Sequence, residues 1–299
     1  MLWSALVGTI EQGLVYGIMA LGVYLTFRVL DFPDLTVDGS FPLGAAVAAK
    51  IIADGGNPFW GVCLAIVAGC AAGLITGVLN AKLKISGLLS GILTMTALYS
   101  VNLRIMGRAN IPLLRKPTVI NWFGQYGLTP WMFFIVVLIL TKLLLDTFLK
   151  TEVGFALRAT GDNEQMPRSC GVSTDSMKLL GLSLSNALVA LSGALVAQYQ
   201  GFADVGMGIG TVVAGLASVI VGQALVRVNG LGWATLGAIV GSIVYRLAIF
   251  GALRLGLEPT DLRLITAVLV VIALSGPSLQ SIWEKYLRGK DHAADIPTL

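Results

Sequence analysis

The chain is a succession of apolar stretches close to twenty residues long, and this pattern limits its fold more than any other feature. A helix rises about 1.5 Å per residue, so about twenty residues cross a hydrocarbon core about 30 Å thick. No water reaches that core to satisfy backbone amides, so single spans of this kind fold as helices. On that ruler residues 4–27, 39–53, 58–80, 87–106, 130–149, 179–199, 206–226, 232–250 and 262–275 read as about nine transmembrane or re-entrant helices. The expected class is an all-α integral membrane protein. The segments beginning at Gly39 and Gly206 follow clusters of Gly, Pro and Asp, which predicts broken or re-entrant helices there. Composition agrees, since 12% charged residues is about half the fraction of a soluble domain.

Charge placement gives an orientation. Lys82, Lys84, Lys142, Lys150, Arg158, Arg168, Lys178, Arg227, Lys285, Arg288 and Lys290 fall on one side if the segments alternate. The positive-inside bias makes that side the cytosol, with the N-terminus outside and the C-terminus cytoplasmic. Arg104, Arg108, Arg115 and Lys116 run against this scheme. Trp3, Trp60, Trp122, Trp131, Trp233 and Trp283 lie at or near segment ends, as an interfacial aromatic belt requires. The net charge of +4 therefore reflects loops at a membrane surface and not nucleic-acid binding. Cys63, Cys70 and Cys170 match no metal-ligand spacing, and the single His292 leaves no triad or zinc cluster, so no metal site is expected.

Small residues four apart, as in Gly69/Gly73/Gly77, Gly13/Gly17, Gly87/Gly91 and Gly237/Gly241, predict close helix approach, within one subunit or at a dimer interface. An offset of 170 residues aligns 17–34 with 187–204, matching Ala20 with Ala190, Leu21 with Leu191, Leu25 with Leu195, Phe32 with Phe202 and Asp34 with Asp204. The two copies cross the membrane in opposite directions in this scheme, which predicts an inverted repeat.

A polar island, residues 151–178, interrupts the apolar spans. Residues 153–160 predict a short helix stopped by Gly161 in a left-handed position. Asp162 with Gln165 has capping-box spacing for a second helix, which Gly171 ends, and Ser173 or Thr174 caps the next span. Pro167 limits that second helix to little more than one turn. The pair would present Arg158, Asp162, Asn163 and Glu164 to a soluble partner; the alternative is a loop that is simply solvated.

The run GFALRATGDNEQM at 154–166, followed by Cys170-Gly171-Val172, resembles the cytoplasmic coupling loop of permease subunits in branched-chain amino acid and ribose-type ABC importers. Residues 34–40, DLTVDGS, resemble a signature that follows an early helix in the sugar members, with Asp38 inserted. The likeness covers nearly the whole chain. It implies one permease domain over 1–282, a cytoplasmic tail over 283–299, and a multi-pass location in a prokaryotic cell membrane. Gly154, Leu157, Arg158, Ala159, Gly161, Asp162, Asn163, Glu164 and Gly171 would then couple the chain to a separate ATP-binding cassette subunit, which holds ATP and Mg. An extracellular or periplasmic binding protein would deliver substrate, and a second permease copy would complete a homodimer.

The chain itself carries no phosphate loop, because its only Gly-Lys pair, Gly289-Lys290, is followed by Asp. It is expected to be no enzyme and to bind no cofactor. The resemblance favours an amino acid, aromatic or branched-chain, as substrate, with nucleosides or sugars as the alternative. An ion-coupled secondary transporter is the rival from another class. Polar groups inside spans are costly and mark candidate pathway residues: Glu11, Thr94, Thr96, Asn102 and Gln198, joined by Asp34, Thr36, Asp38 and Ser40 of the broken segment. Asn186 and Gln223 are further polar positions within spans. Asp34 and Asp38 would attract a cationic group, or would cap the helix starting near Gly39.

Overall fold

A computed structural model describes residues 2–255 apart from 126, 128 and 227–229, together with 264, 267, 268 and 271. The helices are α1 (Leu2–Tyr24), α2 (Val37–Ala53), α3 (Pro58–Ala81), α4 (Gly87–Met106), α5 (Val119–Gly124), α6 (Pro130–Lys150), α7 (Glu152–Asp162), α8 (Gln165–Ser169), α9 (Thr174–Gln200), α10 (Thr211–Leu225) and α11 (Leu231–Arg254). Two three-residue strands, β1 (Asn110–Pro112) and β2 (Phe202–Asp204), pair antiparallel with Ile111 opposite Ala203. Among the described residues seven helical segments are long and apolar enough to cross a membrane: Trp3–Val29, Pro58–Ala81, Gly87–Met106, Pro130–Lys150, Thr174–Gln200, Val205–Leu225 and Leu231–Arg254.

Seven of the nine expected segments thus form long apolar helices; of the other two, 39–53 reads from the sequence as broken or re-entrant and 262–275 lies mostly outside the described residues. Residues 39–53 lie in α2, a 17-residue helix of which 12 residues are buried. Such a helix is apolar because it lies inside the bundle, and hydropathy does not distinguish that burial from contact with lipid. Most of the segment 262–275 and all of 283–299, with Trp283 and the C-terminal cations, lie outside the described residues.

Local chemistry sets the helix ends. The Asn57 carboxamide oxygen accepts from the Phe59 amide at 2.9 Å, and Pro58 opens α3. Ser173 caps α9 by accepting from the Ser176 amide at 3.3 Å. Gly107 and Gly201 close α4 and α9 with φ of 69° and 78°. Trp3, Trp60, Trp122, Trp131 and Trp233 are all exposed near helix ends, as the aromatic-belt reading requires. Lys142 is a cation within the 130–149 span. It sits inside α6 and pairs with Asp146, whose other carboxylate oxygen accepts from the Thr235 hydroxyl at 2.7 Å and so ties α6 to α11.

The centre of the bundle is α9, which packs on α1, α2 and α3. Its contact with α3 runs along Gly69, Gly73 and Gly77. A Cβ at Gly73 would stand 2.1 Å from the Leu182 carbonyl oxygen, and one at Gly69 would stand 2.4 Å from that of Asn186. The two helices therefore touch backbone to backbone, within one chain, as small residues allow where no hydrophobic drive separates helix from lipid.

Two of the long elements break. After α1 the chain makes a π-helical turn over Leu25–Val29 and runs without regular helix to α2, and after α9 it passes through β2 and a 3₁₀ turn, Val205–Gly208, to α10. At the first break Asp34 accepts from the amide of Thr36 at 2.9 Å; at the second, Asp204 accepts from that of Gly206 at 2.7 Å. Aspartates 170 residues apart thus build the same turn.

The stripe on α3 gives a direct test. Gly73→Ala should destabilise the detergent-solubilised protein by about 1–3 kcal/mol, because α3 and α9 must separate to admit the methyl group. Gly124→Ala, which meets no atom within 4 Å, should stay within about 0.5 kcal/mol of the unsubstituted protein. Thermal unfolding of the two variants side by side checks both values.

Candidate functional site

The polar island folds as two short helices, α7 and α8, between α6 and α9. Thr151 caps α7, its hydroxyl accepting from the Gly154 amide at 3.2 Å. Gly161 does not stop the helix as expected; it lies inside α7, and Asn163 is the C-cap. Its role is proximity, since a Cβ there would stand 2.1 Å from the carbonyl oxygen of Val29 in the π-helical turn. Gly154 likewise sits against the end of α6, 2.2 Å from Phe148 O by the same measure. Asp162 makes no capping box with Gln165: the Asn163 side chain accepts from the Gln165 amide at 2.9 Å. Gly171, at φ 81°, follows α8 as expected, and the helix holding Pro167 is five residues long.

The loop has a buried and an open face. Leu157 is fully buried, while Ala159 and Arg158 are half-buried and Asp162 and Asn163 are exposed. Glu164 turns back to its own chain, bonding Arg168 at 3.1 Å and pairing with Lys178 of α9. Phe155 and Met166 are 64% and 65% exposed, an unusual placement for large apolar groups on a polar loop. Both line a cavity of about 430 Å³ with Tyr24, Arg28, Arg158 and Asp162. Arg158 stacks 5.3 Å from the Phe155 ring centroid, and its Nε is buried without a hydrogen-bond partner. At the rear of this groove Arg28 donates to Gln223 at 2.6 and 2.9 Å. Two cations beside exposed apolar side chains form a concave face suited to a projecting element of a soluble partner.

The intramembrane candidates divide into separate groups. Asp34, Thr36 and Ser40 come together with two residues of other helices. Asp34 accepts from the Asn186 carboxamide at 2.8 Å, Ser40 donates to that carboxamide at 2.7 Å, and the Thr36 and Thr76 hydroxyls share a bond of 2.7 Å. All five are fully buried. Asp38 caps a helix, but α10 and not α2: its carboxylate accepts from the amides of Gly210 and Val212 at 3.1 and 2.8 Å and from the Thr211 hydroxyl at 2.9 Å. Asn102 donates to the Gly39 carbonyl at 3.1 Å, beside this junction.

The remaining candidates lie elsewhere. Glu11 accepts from the Tyr199 hydroxyl at 2.7 Å. Gln198 accepts from the Val119 amide at 2.9 Å, leaving its amide nitrogen buried and unpartnered. Thr94 and the exposed Thr96 donate to carbonyls of their own helix, Ser90 and Ile92. Sequence reasoning passed over Thr76, Tyr199 and Arg246. Of these only Arg246 carried a signal, as a lone cation within an apolar span. No group of three or more His, Cys, Asp or Glu side chains is placed to hold a metal among the described residues.

The comparisons fit this arrangement. Residues 5–274 match the family model described as the branched-chain amino acid transport system / permease component. The chain is 46% identical over 276 residues to the tyrosine transport system permease protein of Clostridioides difficile, covering 92% of each chain. It is 29% identical to the ribose import permease protein of Escherichia coli, over 61% of this chain and 57% of that one. Among solved structures, the complex of PsaBC from Streptococcus pneumoniae with Fab shares the fold, at a TM-score of 0.53 and 16% identity over 89% of both chains. The match over nearly all described helices makes the chain a multi-pass transport subunit belonging to the branched-chain amino acid and ribose-type family of ABC permeases.

Proposed function

We propose that this permease imports an amino acid with an aromatic side chain, received from an extracellular binding protein and driven by ATP hydrolysed on a separate cassette subunit. The observation carrying the substrate class is the 46% identity, over 92% of both chains, to a protein named as a tyrosine transport permease. The sugar alternative rests on a weaker likeness, 29% identity over 61% of the chain. Family membership favours ATP-driven import over an ion-coupled carrier. ATP and Mg belong to the partner on this reading, which the groove beside α7 would receive.

The same reading includes an inverted repeat. Exchanging α1 with α9, α2 with α10 and α3 with α11 turns the packing of α3 on α9 into that of α11 on α1, and that of α2 on α3 into that of α10 on α11. The residue pairs Ser185/Gly22 and Ser192/Val15, each joined by a serine hydroxyl of α9 donating to a carbonyl of α1 at 2.7 and 2.8 Å, also interchange under the 170-residue offset. Both relations support a two-fold axis through the crossing of α1 and α9. The orientation that accompanies this reading has the N-terminus outside and α7–α8 in the cytosol. Two copies of the chain would form the working permease.

Reconstituted with its ATPase and binding protein, the permease should accumulate L-tyrosine or L-phenylalanine in proteoliposomes at the cost of ATP. Ribose accumulation with no amino-acid uptake would replace the substrate assignment by the sugar one.

The docking face yields a second expectation. Phe155→Ala and Arg158→Glu should each weaken capture of the ATPase subunit by about 30-fold, near 2 kcal/mol, while thermal stability of the permease alone changes little. Partner capture equal to that of the unsubstituted chain would remove α7 from the interface.

Orientation is checked on intact cells lacking other reactive cysteines. A cysteine at Asn57 should react with a membrane-impermeant maleimide before lysis, and one at Asn163 only after it. The reverse order would put the coupling face on the wrong side.

A further inference from the structure

The hydrogen-bonded cluster around Asn186 is closed and satisfied, whereas its counterpart under the 170-residue offset is open. That offset carries Asn186 to Tyr16, Thr76 to Arg246 and Ser40 to Gly210. In the first half Asp34 supplies a carboxylate that forms no salt bridge among the described residues and accepts from the Thr36 amide and the Asn186 carboxamide. In the second half Arg246 supplies a cation, and the space beside it is a cavity of about 380 Å³ lined by Tyr16, Met207, Gly210, Thr211, Tyr245 and Arg246. That volume falls in the range of small-molecule sites, about 300–1,000 Å³.

Arg246 lies deep in the bundle. It stands about 20 Å along α11 from Leu231, and Tyr16 is near the middle of the span Trp3–Val29. The guanidinium carbon of Arg246 is 3.5 Å from the Tyr16 ring centroid, so the ring covers one face of the cation and fixes its plane. Its Nε is buried with no hydrogen-bond partner, and among the described residues it forms no salt bridge. The carboxylate next to the cavity, Asp38, accepts three bonds at the start of α10 and is committed to that cap. A cation at this depth without an acidic partner is costly and marks function. Its planar fork of donors matches a carboxylate, and low local dielectric strengthens the attraction.

We propose that this cavity binds the carboxylate of the amino-acid substrate part-way across the membrane, with Arg246 donating to it and Tyr16 positioning the guanidinium. Met207 and Tyr245 supply walls suited to an apolar or aromatic side chain. This assignment rests on the amino-acid reading given above.

The test uses the complete reconstituted importer. If the unsubstituted complex takes up no amino acid, the amino-acid reading fails, and the cavity assignment falls with it. If it takes up L-tyrosine, Arg246→Gln should lower tyrosine moved per ATP hydrolysed by at least tenfold while still assembling with the ATPase. Arg246→Lys, which keeps the charge but loses the fork, should recover part of that loss. Uptake per ATP equal to the unsubstituted complex in Arg246→Gln overturns the cavity assignment alone.

A measurement on the unsubstituted chain covers the case in which the variant does not assemble. Without the binding protein, L-tyrosine should raise the thermal midpoint of the permease–ATPase complex, and tyramine, which lacks the carboxylate, should not. An equal shift with both compounds, or none with either, overturns the assignment.

Discussion

Every backbone polar group in this chain that sits at membrane depth must find a partner inside the protein, and the rest of the architecture follows from how that is done. Regular helix satisfies its own amides, so the demand concentrates where the helices break. At the break after α1, Asp34 accepts from the Thr36 amide; at the break after α9, Asp204 accepts from the Gly206 amide. The first amides of α10 are taken by Asp38, on the far side of the junction, and the Gly39 carbonyl is met by Asn102 of α4. Carboxylates that look like ligands for a cationic substrate are in this way bound to the backbone they support. They hold segments far apart in the sequence together.

That solution also sets the relation between α7 and the interior. α7 lies against the π-helical turn closely enough that Gly161 admits no side chain, and the broken segment begins at the residues directly after that turn. A displacement of α7 has no compressible layer to absorb it, because backbone meets backbone at Val29. α7 and the irregular segment therefore behave mechanically as neighbours. Arg28 of the turn, bonded to Gln223, extends the same contact to the end of α10.

Much of the fold was legible in the sequence because its causes are local. Hydropathy over about twenty residues is enough to mark seven spans, and the small-residue stripe of α3 marks a close contact without naming the partner. The polar island announced itself by composition, and Ser173 and Gly171 behaved as their residue types require. The misreadings have one source, partners that lie far away in the sequence. Gly161 is a good helix terminator in isolation, yet it is retained inside α7 because a neighbouring carbonyl occupies the place of its Cβ.

The sequence by itself determined the class of the protein, the helical spans, the polar loop and the family, since each is written in short windows of polarity or in a contiguous motif. Tertiary structure alone decided which polar groups are scaffold and which are free. Asp38 meets Gly210 and Val212 from 172 and 174 residues away, Glu11 meets Tyr199 across 188, and Asp34 meets Asn186 across 152. No window of sequence contains such pairs. Arg246 was visible as a charge in an apolar span, but its meaning depends on what lies beside it. Packing places the Tyr16 ring against it and no acid among the described residues, and that separates an unpaired cation facing a cavity from one half of an internal ion pair.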